Sequence, residues 1–372
     1  MGLQENKIAI ISPSQNAYSE TFIQAHKNHL SGKVYYYFGS VSNLTLEGEG
    51  ILLKGAKKIY GKFLNLLLKK KFYSEKKALL NSWKKKGINL LFFEYGTTAG
   101  LFIDVIKESK IPLIVHFHGY DASMYSTIKE FEKQYAQIFD YATYIVVVSE
   151  VMKEKLLELG CPRDKLVKNI YGPNNLFLDC QPNFSKQQFI SVGRFTNKKA
   201  PYYTLLAFKE VLSEFPEAKL IMGGDGNLLE TCENICKYYQ LEKSVLFDGI
   251  ITPEKYGQYL TESLAFVQHS ITAKNGDMEG TPLAILESSA AGLPVIASRH
   301  AGISEVITDN QTGLLFEEHD VKKMAEHMKI ILRDKEYAIS LGLRGKENIR
   351  TYFSMKKHID TLDCLILKAI QS

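Results

Sequence analysis

Two glutamates eight positions apart, Glu279 and Glu287, bracket the stretch Gly280-Thr281-Pro282-Leu283, where a helix is expected to begin. Proline suits the first helical position, because its missing N–H costs nothing there and its φ is already set. The apolar run from Leu283 to Ala291 carries the helix forward, and Gly292 with Pro294 ends it. The open N–H groups and positive dipole end of such a start attract phosphate. Glu279 precedes that end, and Glu287 lies about one and a half turns into the helix. A diphosphate docked at the tip would therefore have one carboxylate near each of its two substituents. In a nucleotide-sugar these are a sugar and a ribose, both rich in hydroxyl donors. An isolated pair at this spacing ordinarily means one acid complementing the dipole and one facing solvent, so the rest of the chain has to decide.

Most other candidates follow an expected strand directly. Gly193, Arg194 and Lys199 come after a strand ending at Val192. Arginine offers planar paired donors to phosphate and lysine a mobile point charge. Two fixed cations there would stabilise the charge that develops on a departing diphosphate. Gly223, Gly224, Asp225 and Gly226 follow a strand ending at Met222 and suit a tight turn with close backbone approach to a ligand. Ser12 to Glu20 follows the first strand, with Ser19 as a candidate cap for a helix beginning at Glu20. His118, Gly119 and Asp121 follow a strand ending at Phe117. His116 and His118 share a face if both are in that strand. They suit either a polar ligand-contacting histidine beside a hydrogen-bonded strand residue, or a His-x-His metal site whose further ligands have no obvious source in the sequence.

Positioning these residues takes strands that alternate with helices, which indicates an α/β fold with parallel sheets. Expected strands are Lys7–Ile11, Val34–Phe38, Asn89–Phe93, Leu113–Phe117 and Tyr144–Val148. After a polar interruption from Tyr171 to Ser185 they resume with Phe189–Val192, Leu220–Met222, Val245–Phe247, Ala265–Val267, Pro294–Ala297 and Gly313–Phe316. At 372 residues, two domains fit better than one core. The first spans 1–175, completed by a C-terminal helix over about 352–372, and the second spans 184–351. Both are expected to be doubly wound, facing each other across a cleft, with ligands at the carboxyl ends of the strands.

Taken together, the motifs resemble glycosyltransferase family 4 (group 1). The resemblance is carried by Ser191-Val192-Gly193-Arg194 through Lys199, by Met222-Gly223-Gly224-Asp225-Gly226, and by Glu279-Gly280-Thr281-Pro282 through Glu287. Gly292-Leu293-Pro294-Val295-Ile296-Ala297, Gly302, Glu305 and Thr312-Gly313-Leu314-Leu315 extend it. In the first half it rests on His118-Gly119-Tyr120-Asp121 and Ser19-Glu20-Thr21-Phe22-Ile23, similar to the branch that builds bacterial exopolysaccharide, capsule or lipopolysaccharide. Two departures stand out. Ser14-Gln15-Asn16-Ala17 replaces the family's frequent glycine pair, and Tyr171-Gly172-Pro173-Asn174-Asn175 differs from its usual linker.

The resemblance implies a GT-B fold of two Rossmann-like domains and a retaining, metal-independent transferase. Its donor would be a nucleotide-diphosphate sugar, a UDP-sugar being favoured over GDP-mannose, with no separate cofactor. Arg194 and Lys199 would hold the diphosphate and Glu279 the sugar hydroxyls. Backbone from Gly280 through Thr281 and Pro282 to Leu283 would meet the phosphates, together with the turn at Gly224, Asp225 and Gly226. Glu287 would take the ribose, Ile251 would lie near the base, and His118 would sit beside the anomeric centre. Alternatives are a donor-binding partner subunit without catalysis, and a metal-dependent hydrolase using His116 and His118.

Hydrophobic content of 45% and charged content of 23% are globular values, and the net charge of +5 is unevenly spread. From Lys54 to Lys86 there are twelve lysines against the single acid Glu75. Within Ile51–Tyr73, Leu52, Ala56, Ile59, Phe63, Leu66 and Leu67 recur at helical spacing among lysines. Such a helix either rests on an anionic membrane surface or packs on the core with a solvated lysine face. Nucleic acid is not expected, since no aromatic platform or binding motif accompanies the charge. The five cysteines are scattered and suit reduced thiols. No apolar run suits a bilayer span and no signal peptide is evident. The expected location is cytoplasmic, peripheral at the inner face of the membrane, with a lipid-linked or other saccharide acceptor.

Overall fold

The computed structural model describes residues 6–15, 17, 18 and 20–371. Asn16 and Ser19, and with them the expected Ser19 cap, lie outside the described residues. The chain forms two compact units, one of residues 1–169 with 359–372 and one of residues 170–358.

The first unit is built on eight strands: β1 (Lys7–Ser12), β2 (Lys33–Phe38), β3 (Thr45–Leu46), β4 (Gly50–Ile51), β5 (Leu90–Glu94), β6 (Leu113–His116), β7 (Tyr144–Val147) and β8 (Leu166–Lys168). Their order in the sheet is β4-β3-β2-β1-β5-β6-β7-β8. Neighbours from β2 to β8 pair in parallel, and β3 and β4 extend the edge as antiparallel strands. The central strands read as unbroken apolar runs because helices cover both faces of a parallel sheet. Ile8 to Ile11 and Leu90 to Phe93 are accordingly fully buried.

The second unit carries β9 (Gln188–Val192), β10 (Lys219–Gly223), β11 (Val245–Phe247), β12 (Ala265–Gln268), β13 (Val295–Ser298) and β14 (Gly313–Phe316). The sheet runs β11-β10-β9-β12-β13-β14, and every pairing is parallel. In this doubly wound order the chain leaves β9 in one direction and β12 in the other. The loops at their carboxyl ends diverge and open a crevice, the usual place for a ligand. The same reversal occurs in the first sheet between β1 and β5.

The strands expected from sequence stand within a residue or two of those observed. The two-residue strands β3 and β4 and the short β8 are additions. The stretch after residue 170 is more than a linker, because Asn175–Leu178 forms a short helix with the Asn174 side chain accepting from Leu176 N–H. The lysine-rich segment forms two helices, Ala56–Leu67 and Tyr73–Lys86, separated where Lys69 and Phe72 adopt positive φ. Among the described residues no helix is long and apolar enough to cross a membrane.

Candidate functional site

In the second unit, the loops after β9 and β12 bring basic and acidic side chains together. Lys199 follows β9 and closes a turn of 3-10 helix at Asn197–Lys199. Its ammonium lies 2.9 Å from Glu279 Oε1 and 3.4 Å from Gln268 Oε1, at the end of β12. Lys198 reaches the other side of the same loop, donating to Asp277 Oδ1 at 2.9 Å and to the Met278 carbonyl at 3.2 Å. Burial opposes a charge on Glu279, but Lys199 and Lys198 outweigh it and hold the carboxyl at about 2. The same burial lowers the Lys199 pKa, with Glu279 resisting. The outcome we stand behind is an ion pair, since the carboxylate faces two ammonium groups.

Glu279 leads into the helix Leu283–Ala291. Pro282 occupies the position before the first helical residue, one place earlier than expected, and Gly292 ends the helix at φ 88°. Gly280, Thr281 and Pro282 are buried, and Leu283 is half-buried. Glu287 lies within this helix, half-buried, and among the described residues it makes no ion pair or side-chain hydrogen bond. Burial alone pushes its carboxyl up to about 7. The two glutamates of one short segment are thus in opposite states, one held ionised and the other poised near neutrality.

The glycines after β10 serve a loop-to-loop contact. Gly224 has φ +131°, and a Cβ there would meet the Gly193 carbonyl oxygen at 2.0 Å. Gly226 likewise leaves no room for a side chain beside Phe195. Phe195 N–H donates to the Asp225 carbonyl at 2.9 Å, locking the two turns together. The close backbone approach read from these glycines is therefore made to the neighbouring turn. Ile251 covers Gly223, at 2.2 Å from where a Cβ would stand. Val192, Gly193, Arg194, Lys199, Met222 and Gln268 line one small pocket at the ends of these strands. Arg194 is exposed and makes no ion pair among the described residues. Asp225 is exposed as well, accepting from Gly226 N–H at 2.7 Å.

In the first unit a second polar cluster gathers at the carboxyl ends of β5 and β6. Glu94 closes β5 and pairs in register with His116, which closes β6. Glu94 Oε2 lies 2.8 Å from His118 Nε2, and Oε1 lies 2.7 Å from His26 Nδ1 on the helix Thr21–His29. The His26 and His116 rings stack at 5.2 Å. Burial disfavours charge on every member. It raises Glu94, with His118 opposing, lowers His118, with Glu94 opposing, and lowers His26 to about 3. Asp121 fixes the turn beneath His118 by accepting from His118 N–H and Gly119 N–H at 3.0 Å and from Gly96 N–H at 2.9 Å. Phe22 packs on the His118 ring at 4.4 Å.

The further ligands that the sequence did not supply for a His-x-His metal site are present in space. His26, Glu94 and His116 offer ligand atoms within 4.8 Å of one another. They escaped notice because a helix residue and two strand ends meet only through sheet register. A hint was available in Leu-Leu-Phe-Phe-Glu, where an acid ends a buried strand.

The family model for glycosyl transferases group 1 matches residues 181–348. The chain carries a group 1 glycosyltransferase domain. It contains Arg194, Lys199, the glycine turn, Ile251, Glu279 and Glu287, whereas His118 lies outside it. Among curated proteins, the amylovoran biosynthesis glycosyltransferase AmsK of Erwinia amylovora is 28% identical, over 74% of this chain and 70% of that protein. The putative colanic acid biosynthesis glycosyltransferase WcaL of Escherichia coli K12 is 26% identical, over 70% of this chain and 65% of its own length. The chain thus spans about two thirds of the length of these relatives. Among solved structures, Anabaena Alr3699/HepE in complex with UDP and glucose aligns with a TM-score of 0.76 at 13% identity, covering 99% of this chain and 100% of that one. Both sheets and these neighbours give the fold class as GT-B.

One contact around the group 1 domain's acidic loop had no sequence signal. The Glu279 peptide N–H donates to His300 Nε2 at 3.1 Å. His300 stands two residues beyond β13, in a turn whose partner in space is twenty positions away in sequence.

Proposed function

We propose that this protein is a retaining, metal-independent hexosyltransferase that moves a sugar from a nucleotide-diphosphate sugar, UDP-linked by preference, to a lipid-linked saccharide. The observation that carries the reading is the buried Lys199–Glu279 pair, 2.9 Å apart, immediately before the helix that holds Glu287. Lys199 and Arg194 neutralise the diphosphate while it leaves. The Glu279 carboxylate, kept ionised by its lysines, accepts hydroxyl hydrogens of the donor sugar. Backbone N–H groups at the start of Leu283–Ala291 complement the phosphates. Glu287 accepts from the ribose, Ile251 flanks the base, and His118 contacts the transferred sugar. In retention the acceptor attacks on the face from which the diphosphate departs, and the leaving phosphate oxygen takes the acceptor's proton. The names of the relatives support bacterial exopolysaccharide assembly as the setting.

The lysine-rich helix supports work at the inner, cytoplasmic face of the membrane. Its apolar residues point outward: Ile59, Phe63, Leu66 and Leu67 are 74%, 60%, 77% and 66% exposed. They alternate with Lys57, Lys58 and Lys62 in a pattern suited to an anionic bilayer, where each lysine contributes about 1 kcal/mol. Co-sedimentation with phosphatidylglycerol vesicles tests it. Replacing Lys54 to Lys71 with glutamine is expected to release the protein, and unchanged sedimentation rejects the membrane role.

The transferase reading is tested by thermal stabilisation with a panel of UDP- and GDP-sugars. The cognate donor at about 100 times its Kd adds about 2.7 kcal/mol. If no nucleotide-sugar shifts the transition, the reading fails.

A further inference from the structure

The loop bearing Glu279 is held from beneath by the turn after β13. Glu279 N–H donates to His300 Nε2 at 3.1 Å, and Gly302 N–H donates to the Gly280 carbonyl at 3.0 Å. A peptide N–H can only donate, so His300 Nε2 must be the acceptor and the ring proton must sit on Nδ1. That proton is directed at Glu318 Oε1, 2.6 Å away. The other oxygen of Glu318 accepts from Thr272 N–H at 2.9 Å, which fixes the carboxylate in turn. The His300 side chain is 1% exposed, so water does not compete for either nitrogen. Ala301 adopts φ +42°, a backbone state that non-glycine residues rarely take, and it places His300 under the loop. On the loop's other side Ser270 Oγ approaches Glu279 Oε1 at 3.4 Å, and Ser270 N–H donates to Ser298 Oγ at 2.8 Å.

We infer that His300, oriented by Glu318, is a positioning residue that sets where the Glu279 carboxylate meets the donor sugar. The inference rests on the proposed role of Glu279. Fixing one peptide N–H at the residue that carries the carboxylate defines the start of its side chain, while Lys199 defines the end. A small misplacement of such a group lowers turnover more than it lowers binding of the distant nucleotide, because the sugar contact is made at the reacting end.

The test compares wild type with His300→Leu and His300→Gln in sugar transfer from the cognate nucleotide-sugar, beside titration of the free nucleoside diphosphate. His300→Leu removes the acceptor and leaves a buried N–H unpaired. His300→Gln places a carbonyl oxygen where it can still accept. The expected result is a kcat at least about tenfold lower for the leucine variant, with nucleoside diphosphate Kd changed less than about threefold. The glutamine variant should recover to within about threefold of wild type. A leucine variant with wild-type kcat, or one that loses nucleotide affinity and turnover together, overturns the inference. Selective 15N-histidine labelling of wild type, with the signal assigned by its loss in His300→Gln, reads the tautomer without any activity. Protonated Nδ1 with bare Nε2 supports the clamp, and the reverse tautomer rejects it. Should wild type transfer no sugar at all, the donor reading fails while the tautomer still decides the clamp.

Discussion

Two buried carboxylates close neighbouring problems in opposite ways. Glu279 meets lysine ammonium groups and stays ionised at about 2, whereas Glu94 meets only imidazoles and is pushed upward. Both are removed from water, so burial acts alike on each. The partner decides. A lysine brings a permanent charge into the site, while His26 and His118 are themselves driven toward neutrality by the same burial. The region around Glu279 is therefore electrostatically committed and suited to gripping a polar, anionic ligand. The region around Glu94 is a hydrogen-bonded frame that orients His118. Glu287, buried without a partner, stands between the two cases at about 7.

The comparison can be broken most forcefully by removing a partner. Lys199→Met leaves the Glu279 carboxylate buried beside Lys198 alone, and loss of one member of a buried pair costs about 3–5 kcal/mol. Chemical denaturation should show most of that loss, and Glu279→Gln in the same background should restore part of it. Glu94→Leu should destabilise less, by about 1–3 kcal/mol for each donor left unsatisfied on His26 and His118. Thermal unfolding of the variant reads it, and an unchanged transition would mean that the histidines find other partners.

A smaller effect sharpens the contrast between the two glutamates of the group 1 domain. Ribose hydroxyls donate to a carboxylate, so nucleotide binding favours ionised Glu287 and is weakened by its protonation. With a carboxyl at about 7, affinity should rise with pH through that value and fall about tenfold for each unit below it. Calorimetric titration of nucleoside diphosphate from pH 8 to pH 5.5 checks the slope, and Glu287→Gln should flatten it. Glu279, near 2, should leave no trace in this range. Arg194→Ala should lower turnover by about one to two orders of magnitude, given about 1.5–3 kcal/mol for a charged hydrogen bond to phosphate.

Much of this was legible in the residues themselves. Long parallel strands announce themselves as apolar runs, and Gly280-Thr281-Pro282 followed by Leu283 announces a helix start. Thr45–Leu46 and Gly50–Ile51 are too short to carry a period and exist only because β2 offers them an edge. The lysine-rich segment showed its amphipathic spacing, but only the structure shows Phe63 and Leu66 turned outward, since spacing defines a stripe and not what covers it. Lys199 and Glu279 were readable because each follows a strand or precedes a helix in a recognisable order. Glu94, His26 and His300 were not, because their partners arrive through register and turns that no local pattern encodes.

The central claim is that Glu279 grips the donor sugar beside a lysine-held diphosphate. The most direct measurement is the turnover of Glu279→Ala, as radiolabelled sugar passed from the cognate nucleotide-sugar to lipid extracted from bacterial membranes, beside its Kd for the nucleoside diphosphate. Turnover at least about a hundredfold down, with Kd within about threefold of wild type, is the predicted result. Wild-type turnover in this variant would contradict the account.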